Sequence, residues 1–357
     1  MTGKPAIVIG SYLEPELVDR IRAAKNAGRV IYEPGLLPVP RYQCDHTGPQ
    51  PGLGTADLDR WREITAEAEV FFDFDWLDPA GMPANAPRLR WIQATSAGIG
   101  GFMARTGLDA RITPDAQTGS GLQVTTAGGI HAAPLAEFAL TGALYFTKGV
   151  PDLRQRQQAR HWERYTTRQL AGQRALVVGL GGIGRRVTAS FAALGVEVWG
   201  LGRDDGRDDG RYDDIDGLSR VIGKNQLDDA LSGTDVLVLC CPLTPETEGL
   251  IGREQLAQLK QHAVLVNISR GQVVDQDALI DALKNNRLGG ACLDVFTLEP
   301  LPADSPLWGM DNVLVSPHSA STVASENAAL TDLFLDNLDR FAEERPLRNR
   351  YKPDRGY

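Results

Sequence analysis

The sequence predicts an α/β protein of two domains, each a parallel sheet wound with helices on both faces, and three observations carry that prediction. With 357 residues, at roughly 100 to 200 residues per domain, the chain is too long for one core. Between residues 175 and 315 six strand-like segments read as near-continuous apolar runs, the pattern of strands covered on both faces. Residues 1–125 repeat the strand-then-helix rhythm in shorter pieces.

The first domain opens on a strand at Ala6–Gly10 and an amphipathic helix over Glu14–Ala27. Pro34–Gly54 is rich in Pro and Gly and reads as irregular surface chain. A helix over Ala56–Ala68 leads into a strand at Val70–Phe72 and the run Asp73-Phe74-Asp75-Trp76; another strand, Leu89–Ala94, ends at Thr95-Ser96-Ala97-Gly98. From Ala132 to Phe146 every face is apolar or small and Glu137 is the only charge, so this helix is expected to be buried between domains or subunits. The strands of the second domain are Ala175–Val178, Val196–Leu201, Val236–Cys240, Ala263–Ile268, Gly290–Leu293 and Val313–Val315. Helices such as Ile183–Leu194, Glu254–Lys260 and Ala278–Leu283 separate most of them. Between Arg203 and Asp216 seven Asp stand against three Arg, a net −4 out of the chain's −9, and this stretch reads as a solvated acidic loop.

Charge and cysteine usage narrow the function. Lys plus Arg number 37 against 46 Asp plus Glu, and without a basic surface neither nucleic acid nor an anionic membrane is an expected partner. A small anionic substrate needs only a local cationic site. Cys44, Cys240, Cys241 and Cys292 have no C-x-x-C spacing, so neither a metal site nor a disulfide framework is expected, and a reduced, cytoplasmic setting fits. No apolar stretch approaches the roughly 18 residues of a membrane span. The opening MTGKPAIVIG has too short an apolar run for a signal peptide.

Gly179-Leu180-Gly181-Gly182-Ile183-Gly184 has the form G-x-G-x-x-G, and it follows an apolar strand and opens a helical pattern. That context is what a dinucleotide needs: the first glycine makes the tight turn, the second lets the pyrophosphate approach the backbone, and the third allows close helix packing. About 20 residues on, a site for NAD usually places an acid on the ribose. Here Gly202-Arg203 stands instead, which tilts the choice between NAD and NADP toward NADP, although the neighbouring Asp residues would repel a 2′-phosphate.

Ligands of a doubly wound sheet bind beyond the carboxyl ends of its strands. Ser269-Arg270-Gly271, Asp294 with Glu299, and Ser316-Pro317-His318 follow three such ends. Taken singly, an Arg or Glu is usually a surface charge and a His usually structural; their shared edge is what reverses that. An imidazole titrates near pH 6.5 (about) and suits His318 to exchange a proton with a hydroxyl or carbonyl oxygen. A carboxylate beside it favours the imidazolium, and Glu299 is the candidate. Arg270 can grip a carboxylate in a bidentate fork, and Asp294 is placed to accept from a nicotinamide carboxamide. This chemistry needs no metal. Phe74 and Trp76 are candidate walls for the substrate's C3 group, although aromatics are more often core.

The stretches VVGLGGIGRRV, LCCPLTPETEGLI, VLVNISRGQVVDQDAL, ACLDVFTLEPLP and VSPHSA, with HAAPLAEFAL upstream and PLRNRYKPDRGY at the end, resemble the D-isomer-specific 2-hydroxyacid dehydrogenases over nearly the whole chain. The resemblance implies that Arg270, Glu299 and His318 are catalytic, that Asp294 holds the nicotinamide, and that the amides of Ala97 and Gly98, beside Ser96, meet the substrate carboxylate. The cofactor set it suggests is Gly179, Gly181, Gly182, Ile183, Gly184, Gly202, Arg203, Cys241, Pro242, Ser269, Arg270, Asp294 and His318. It further implies a Rossmann cofactor domain, residues 126–323, inserted into a flavodoxin-like substrate domain of residues 1–125 plus 324–357, with the last helix, Ala324–Arg345, crossing back. A homodimer through the 131–150 helix region and closure of the two domains over the ligands are also implied.

Two departures stand out. Gly202 replaces the usual acid, and the loop from Arg203 to Lys224 looks longer than the family usually carries. No regulatory domain is expected after Tyr357, which weighs against a phosphoglycerate dehydrogenase. The expected activity is hydride transfer between NAD(P)(H) and C2 of a small 2-oxo or 2-hydroxy acid of the glyoxylate or hydroxypyruvate type; the alternative is a non-catalytic NAD(H)-sensing interaction protein of the same fold.

Overall fold

The computed structural model describes residues 3–112, 121–202 and 210–354. It divides into two units, residues 1–131 with 322–357 and residues 132–321.

The first unit is built on five short parallel strands: β1 (Ile7–Ile9), β2 (Val30–Ile31), β3 (Val70–Phe72), β4 (Trp91–Gln93) and β5 (Gln123–Thr125). Their order is β2-β1-β3-β4-β5, the 2-1-3-4-5 arrangement of flavodoxin-like sheets. Between them run α1 (Pro15–Arg22), α2 (Thr55–Glu67), α3 (Met82–Asn85) and α4 (Gly100–Thr106). α1 starts at proline, where a missing N–H costs nothing, and stops at Arg22, short of the expected Ala27. α2 buries Trp61, Ile64 and Thr65 at helical spacing, and Asp57 accepts from the Gly54 N–H at its start.

The second unit begins with α5 (Ala132–Thr147) and α6 (Val150–Gln158). It continues through β6 (Arg174–Val178), α7 (Gly182–Ala192), β7 (Glu197–Leu201), β8 (Leu218–Ile222), α8 (Leu227–Ser232), β9 (Val236–Leu239), α9 (Arg253–Gln258), β10 (Val264–Asn267), α10 (Gln276–Lys284), β11 (Gly290–Leu293) and β12 (Val313–Val315). The seven strands are parallel, in the order β12-β11-β10-β9-β6-β7-β8. The chain runs outward from β6 through β7 to β8 and then restarts at β9 on the other side of β6, so the order reverses between β6 and β9. In such sheets the crevice at that reversal is the binding position.

The chain then returns to the first unit as α11 (Glu326–Ala342). Leu330, Phe334, Leu338 and Phe341 pack on β1, β3 and β4, with the Trp91 ring stacked on Phe334 at 5.0 Å and on Phe341 at 5.6 Å. This tether is substantial, since burying one such side chain is worth about 1.5–3 kcal/mol. Residues 126–131 also stay with the first unit: Thr126 N–H donates to the Asn349 carbonyl, Ala127 N–H to that of Ser96, and Ala127 is fully buried.

Several expectations need correcting. β2, β5 and β8 were not expected; β8 lies inside the stretch read as a long loop, and its mixed, half-exposed sequence hides an edge strand. Of the acidic stretch, residues 210–216 are described: Asp213, Asp214 and Asp216 are exposed, as a solvated loop requires, while Arg185 pairs with Asp214 at 2.7 Å and donates to the Arg211 carbonyl, and Ile215 is buried. Within its own unit α5 is buried along one stripe. Ala132, Leu135, Ala136, Ala139, Gly142, Ala143 and Thr147 form the buried stripe, whereas Phe138, Leu140, Leu144 and Tyr145 are only half-buried.

Candidate active site

The glycine turn follows β6 at the reversal point. Gly179 has φ +98°, a conformation open to glycine, and a Cβ there would lie 2.7 Å from the Cys241 Cα at the end of β9. A Cβ on Gly184 would lie 1.9 Å from the Gly179 carbonyl oxygen, so α7 can approach the turn only without a side chain at this position. Gly181 and Gly182 are exposed, and a Cβ on Gly181 would meet nothing within 4 Å. The first turn of α7, with Ile183 half-buried behind it, therefore presents open backbone amides, a cradle of the shape a pyrophosphate needs. Gly202, at the end of β7, has a different reason: a Cβ there would lie 3.0 Å from the Tyr212 ring. A side chain at this position would need the Tyr212 ring to shift by a few tenths of an ångström. Arg203 lies outside the described residues.

The ends of β10, β11 and β12 converge through hydrogen bonds. Asn267, 2% exposed at the last position of β10, accepts from Ser269 N–H at 3.1 Å and donates to the Arg270 carbonyl at 3.1 Å. Ser269 donates its hydroxyl to the Cys241 carbonyl at 2.6 Å, tying this loop to the end of β9 beside Pro242. A Cβ on Gly271 would lie 1.9 Å from the Phe296 carbonyl carbon, so the loop carrying Arg270 presses on the loop carrying Glu299. Burial pushes the Arg270 guanidinium down from its ordinary pKa, and the Glu299 charge opposes the shift.

Asp294 is 2% exposed, and its Oδ1 accepts from Ser316 Oγ at 2.6 Å, Ser319 N–H at 2.8 Å and Ala320 N–H at 3.0 Å. Its carbonyl accepts from His318 N–H at 2.9 Å. These bonds hold His318 at φ +54°, which is unusual for a residue with a side chain. His318 Nδ1 then lies 2.8 Å from Glu299 Oε2, and Glu299 Oε1 accepts from the Phe296 N–H at 2.9 Å. Burial would raise the Glu299 pKa. The His318 hydrogen bond, the Phe296 N–H and the charges of His318 and Arg270 outweigh it and hold the carboxyl below its usual range. With Nδ1 engaged, Nε2 is the ring nitrogen left to exchange a proton.

The first unit carries its own strand-end residues. Ser96 and Gly98 are exposed and Ala97 is half-buried, in the loop between β4 and α4. Trp76 is half-buried, whereas Phe74 is 2% exposed and belongs to the core. The reading of Phe74 as a pocket wall is therefore corrected: its ring lies 4.3 Å from Phe102 and 6.0 Å from Trp76, behind both.

Arg270, Glu299, Asp294, His318 and the glycine turn thus share one edge of the seven-stranded sheet. Sequence reasoning missed Asn267 and the second duty of Asp294, which builds the turn that carries His318. A polar residue closing an otherwise apolar strand was the available signal for Asn267. His131, at the start of α5, pairs with Glu326 at 3.1 Å in the first unit. Among the described residues no group of three or more His, Cys, Asp or Glu is arranged to hold a metal ion, and no helix is long and apolar enough to cross a membrane.

Residues 140–320 match the family model of the D-isomer specific 2-hydroxyacid dehydrogenase NAD binding domain. A glyoxylate reductase of Thermofilum pendens is 33% identical over 270 residues, covering 74% of this chain and 75% of that protein. A glyoxylate/hydroxypyruvate reductase B of Pectobacterium carotovorum is 49% identical over 112 residues, 31% of this chain and 35% of its own. Other curated relatives are matched over about half their length or less, as with a D-3-phosphoglycerate dehydrogenase of Methanocaldococcus jannaschii, 34% identical over 64% of this chain but 43% of its own. Among solved structures, a D-isomer specific 2-hydroxyacid dehydrogenase from Xanthobacter autotrophicus Py2, in complex with NADPH and MES, superposes with a TM-score of 0.76 at 30% identity over 99% of this chain and 100% of that one. The glycine turn, the convergent strand ends and these matches agree: the chain belongs to the D-isomer specific 2-hydroxyacid dehydrogenase family.

Proposed function

We propose that the protein reduces small 2-oxo acids of the glyoxylate and hydroxypyruvate type to D-2-hydroxy acids with NAD(P)H. The observation that carries this reading is the His318–Glu299 pair, 2.8 Å apart, on the sheet edge that also bears Arg270 and the glycine turn. The names of the Thermofilum and Pectobacterium relatives support the substrate class. NADPH in the Xanthobacter protein, together with Gly202 in place of an acid, supports a preference for NADP.

In this reading Gly179, Gly181, Gly182, Ile183 and Gly184 receive the pyrophosphate, Gly202 and Arg203 the adenosine ribose, and Cys241 and Pro242 the adenosine side. Ser269 shapes the nicotinamide end, where Asp294 Oδ2 accepts from the carboxamide. The bound reduced nicotinamide supplies the hydride for C2. Glu299 holds Nδ1–H of His318, so Nε2 donates the proton to the oxygen on C2. Arg270 grips the substrate carboxylate, to which Ser96, Ala97 and Gly98 contribute amides, and Trp76 faces the C3 group. Loss of NADPH and NADH absorbance against a panel of glyoxylate, hydroxypyruvate, pyruvate and bulkier 2-oxo acids tests this. Turnover concentrated on the small acids is expected; no turnover on any of them, with cofactor-dependent binding of a protein partner, would favour the sensing alternative.

Glu299→Gln should lower kcat and leave the cofactor Kd near wild type, because the variant loses the charged partner that holds His318 Nδ1 at 2.8 Å. Because the folded Glu299 carboxyl sits below its ordinary pKa, its contribution to stability is present above the usual carboxylate range and is lost as pH falls through the folded value. Melting temperatures of the two proteins should therefore converge in acid; a kcat equal to wild type would remove the pairing from the mechanism.

The same reading makes the protein a cytoplasmic homodimer through the 131–150 region. The half-buried face of α5 supports it, as does Trp162, 97% exposed on a segment held to α6 by Arg156, which pairs with Glu163 and stacks on Tyr165. Sedimentation should return about twice the 38.7 kDa chain mass; a monomer throughout the micromolar range would contradict it.

A further inference from the structure

The carboxyl end of β3 carries a residue that the activity proposed above does not use. Asp73 is fully buried and adopts φ +70°. Its N–H donates to the Gln93 carbonyl at 2.7 Å, its Oδ2 accepts from the Trp76 indole N–H at 2.7 Å, and its Oδ1 accepts from the Thr95 hydroxyl at 3.1 Å. Both side-chain partners are neutral, and among the described residues no cation pairs with it. A buried, unpaired carboxylate costs several kcal/mol (about) before its hydrogen bonds are counted, and a left-handed backbone away from glycine adds to that.

What this arrangement accomplishes is specific. Trp76 lies on the loop after β3, and Thr95 immediately precedes Ser96-Ala97-Gly98 on the loop after β4. One carboxylate therefore joins the loop bearing the candidate substrate wall to the loop bearing the candidate carboxylate-binding amides. A carboxylate accepts from both groups at once; the indole N–H can only donate, whereas the Thr95 hydroxyl could turn and accept from an amide, so glycine and not asparagine at this position removes both bonds. The Trp76 ring packs against Phe102, 5.2 Å away, and Phe74, 6.0 Å away, and the indole N–H bond to Asp73 ties its polar edge.

We propose that Asp73 is a positioning residue for substrate selection: it locks Trp76 and the 95–98 loop into one arrangement, and the fit of the substrate's C3 substituent depends on that lock. This rests on the 2-oxo acid reductase reading. Hydroxypyruvate has a C3 group and glyoxylate has none, so the two acids report on the wall separately.

The test compares steady-state kinetics on both acids for wild type, Asp73→Gly, Trp76→Phe and the double variant, with melting temperature and cofactor Kd measured alongside. Glycine adopts the left-handed backbone freely and removes both acceptors, and Thr95→Val, which keeps the carboxylate and removes one donor, serves if Asp73→Gly does not fold. For Asp73→Gly the expected result is a KM for hydroxypyruvate raised about tenfold, one lost bond's worth of binding. The KM for glyoxylate should change far less, with kcat and cofactor Kd near wild type. Trp76→Phe removes the same indole donor, so the double variant should add little to the larger single effect. A lowered melting temperature with both KM values unchanged, or equal KM rises for both acids, would overturn the assignment of Asp73 alone. A wild type inactive on both acids would overturn the reductase reading and this role together.

Discussion

His318→Gln should lower kcat for 2-oxo acid reduction by about 10²–10⁴-fold, the range that a positioned general acid contributes, with NADPH affinity changed by less than about twofold. Glutamine can still donate a hydrogen bond to Glu299 but carries no transferable proton. The substitution leaves Arg270 in place to hold the substrate, so the loss falls on the chemical step. The glycine turn follows β6, and His318 follows β12 at the far edge of the sheet, so cofactor binding through the pyrophosphate cradle should survive. Stopped-flow or steady-state turnover, with cofactor titrated by nucleotide fluorescence, separates the two effects. Near-normal turnover would remove His318 from the acid role.

Arg270→Met should cut kcat/KM by about 10²–10³-fold, since leaving one member of a buried charge pair alone costs about 2–5 kcal/mol and each 1.4 kcal/mol (about) is a factor of ten. The guanidinium is half-buried, with Nη1 donating to the Ser269 carbonyl at 2.7 Å, and burial already disfavours its charge. An anionic ligand returns what burial takes away. Arg270→Lys should recover only part of the loss, because an ammonium keeps the charge without the planar fork. Two further features identify the role: the defect should fall mainly on the KM for the oxo acid, and NADPH should still saturate the variant at ordinary concentrations. An Arg270→Lys enzyme indistinguishable from wild type would show that the fork is not used.

Much of the larger sheet was legible in the sequence because its central strands are buried on both faces, which leaves runs such as Leu176-Val177-Val178 and Val236-Leu237-Val238-Leu239 uninterrupted. β8 was not, since Ser219 and Arg220 are exposed on an edge and the segment lacks a buried run. The candidate set was legible because Arg270 and Asp294 follow closely on the buried strands β10 and β11, while Glu299 comes six residues after β11 and His318 three after the half-buried β12. The role of Asp294 was half legible: its place at the end of β11 marks it, but that its carboxylate builds the 316–320 turn is a long-range fact no local pattern carries. Phe74 shows the opposite limit. An aromatic beside a strand end reads alike whether it faces a ligand or the core, and only its contacts with Phe102 and Trp76 decide.

The central claim is that this chain moves a hydride from reduced nicotinamide to C2 of a small 2-oxo acid, with the proton supplied through His318. Incubating the protein with hydroxypyruvate or glyoxylate and NADPH deuterated at the transferable C4 position, then analysing the product by mass spectrometry and chiral chromatography, measures it directly. The expected product carries one deuterium on C2, and from hydroxypyruvate it is the D-hydroxy acid, with the yield collapsing in His318→Gln. A product without deuterium at C2, an L product, or unchanged yield in the His318 variant would contradict the account.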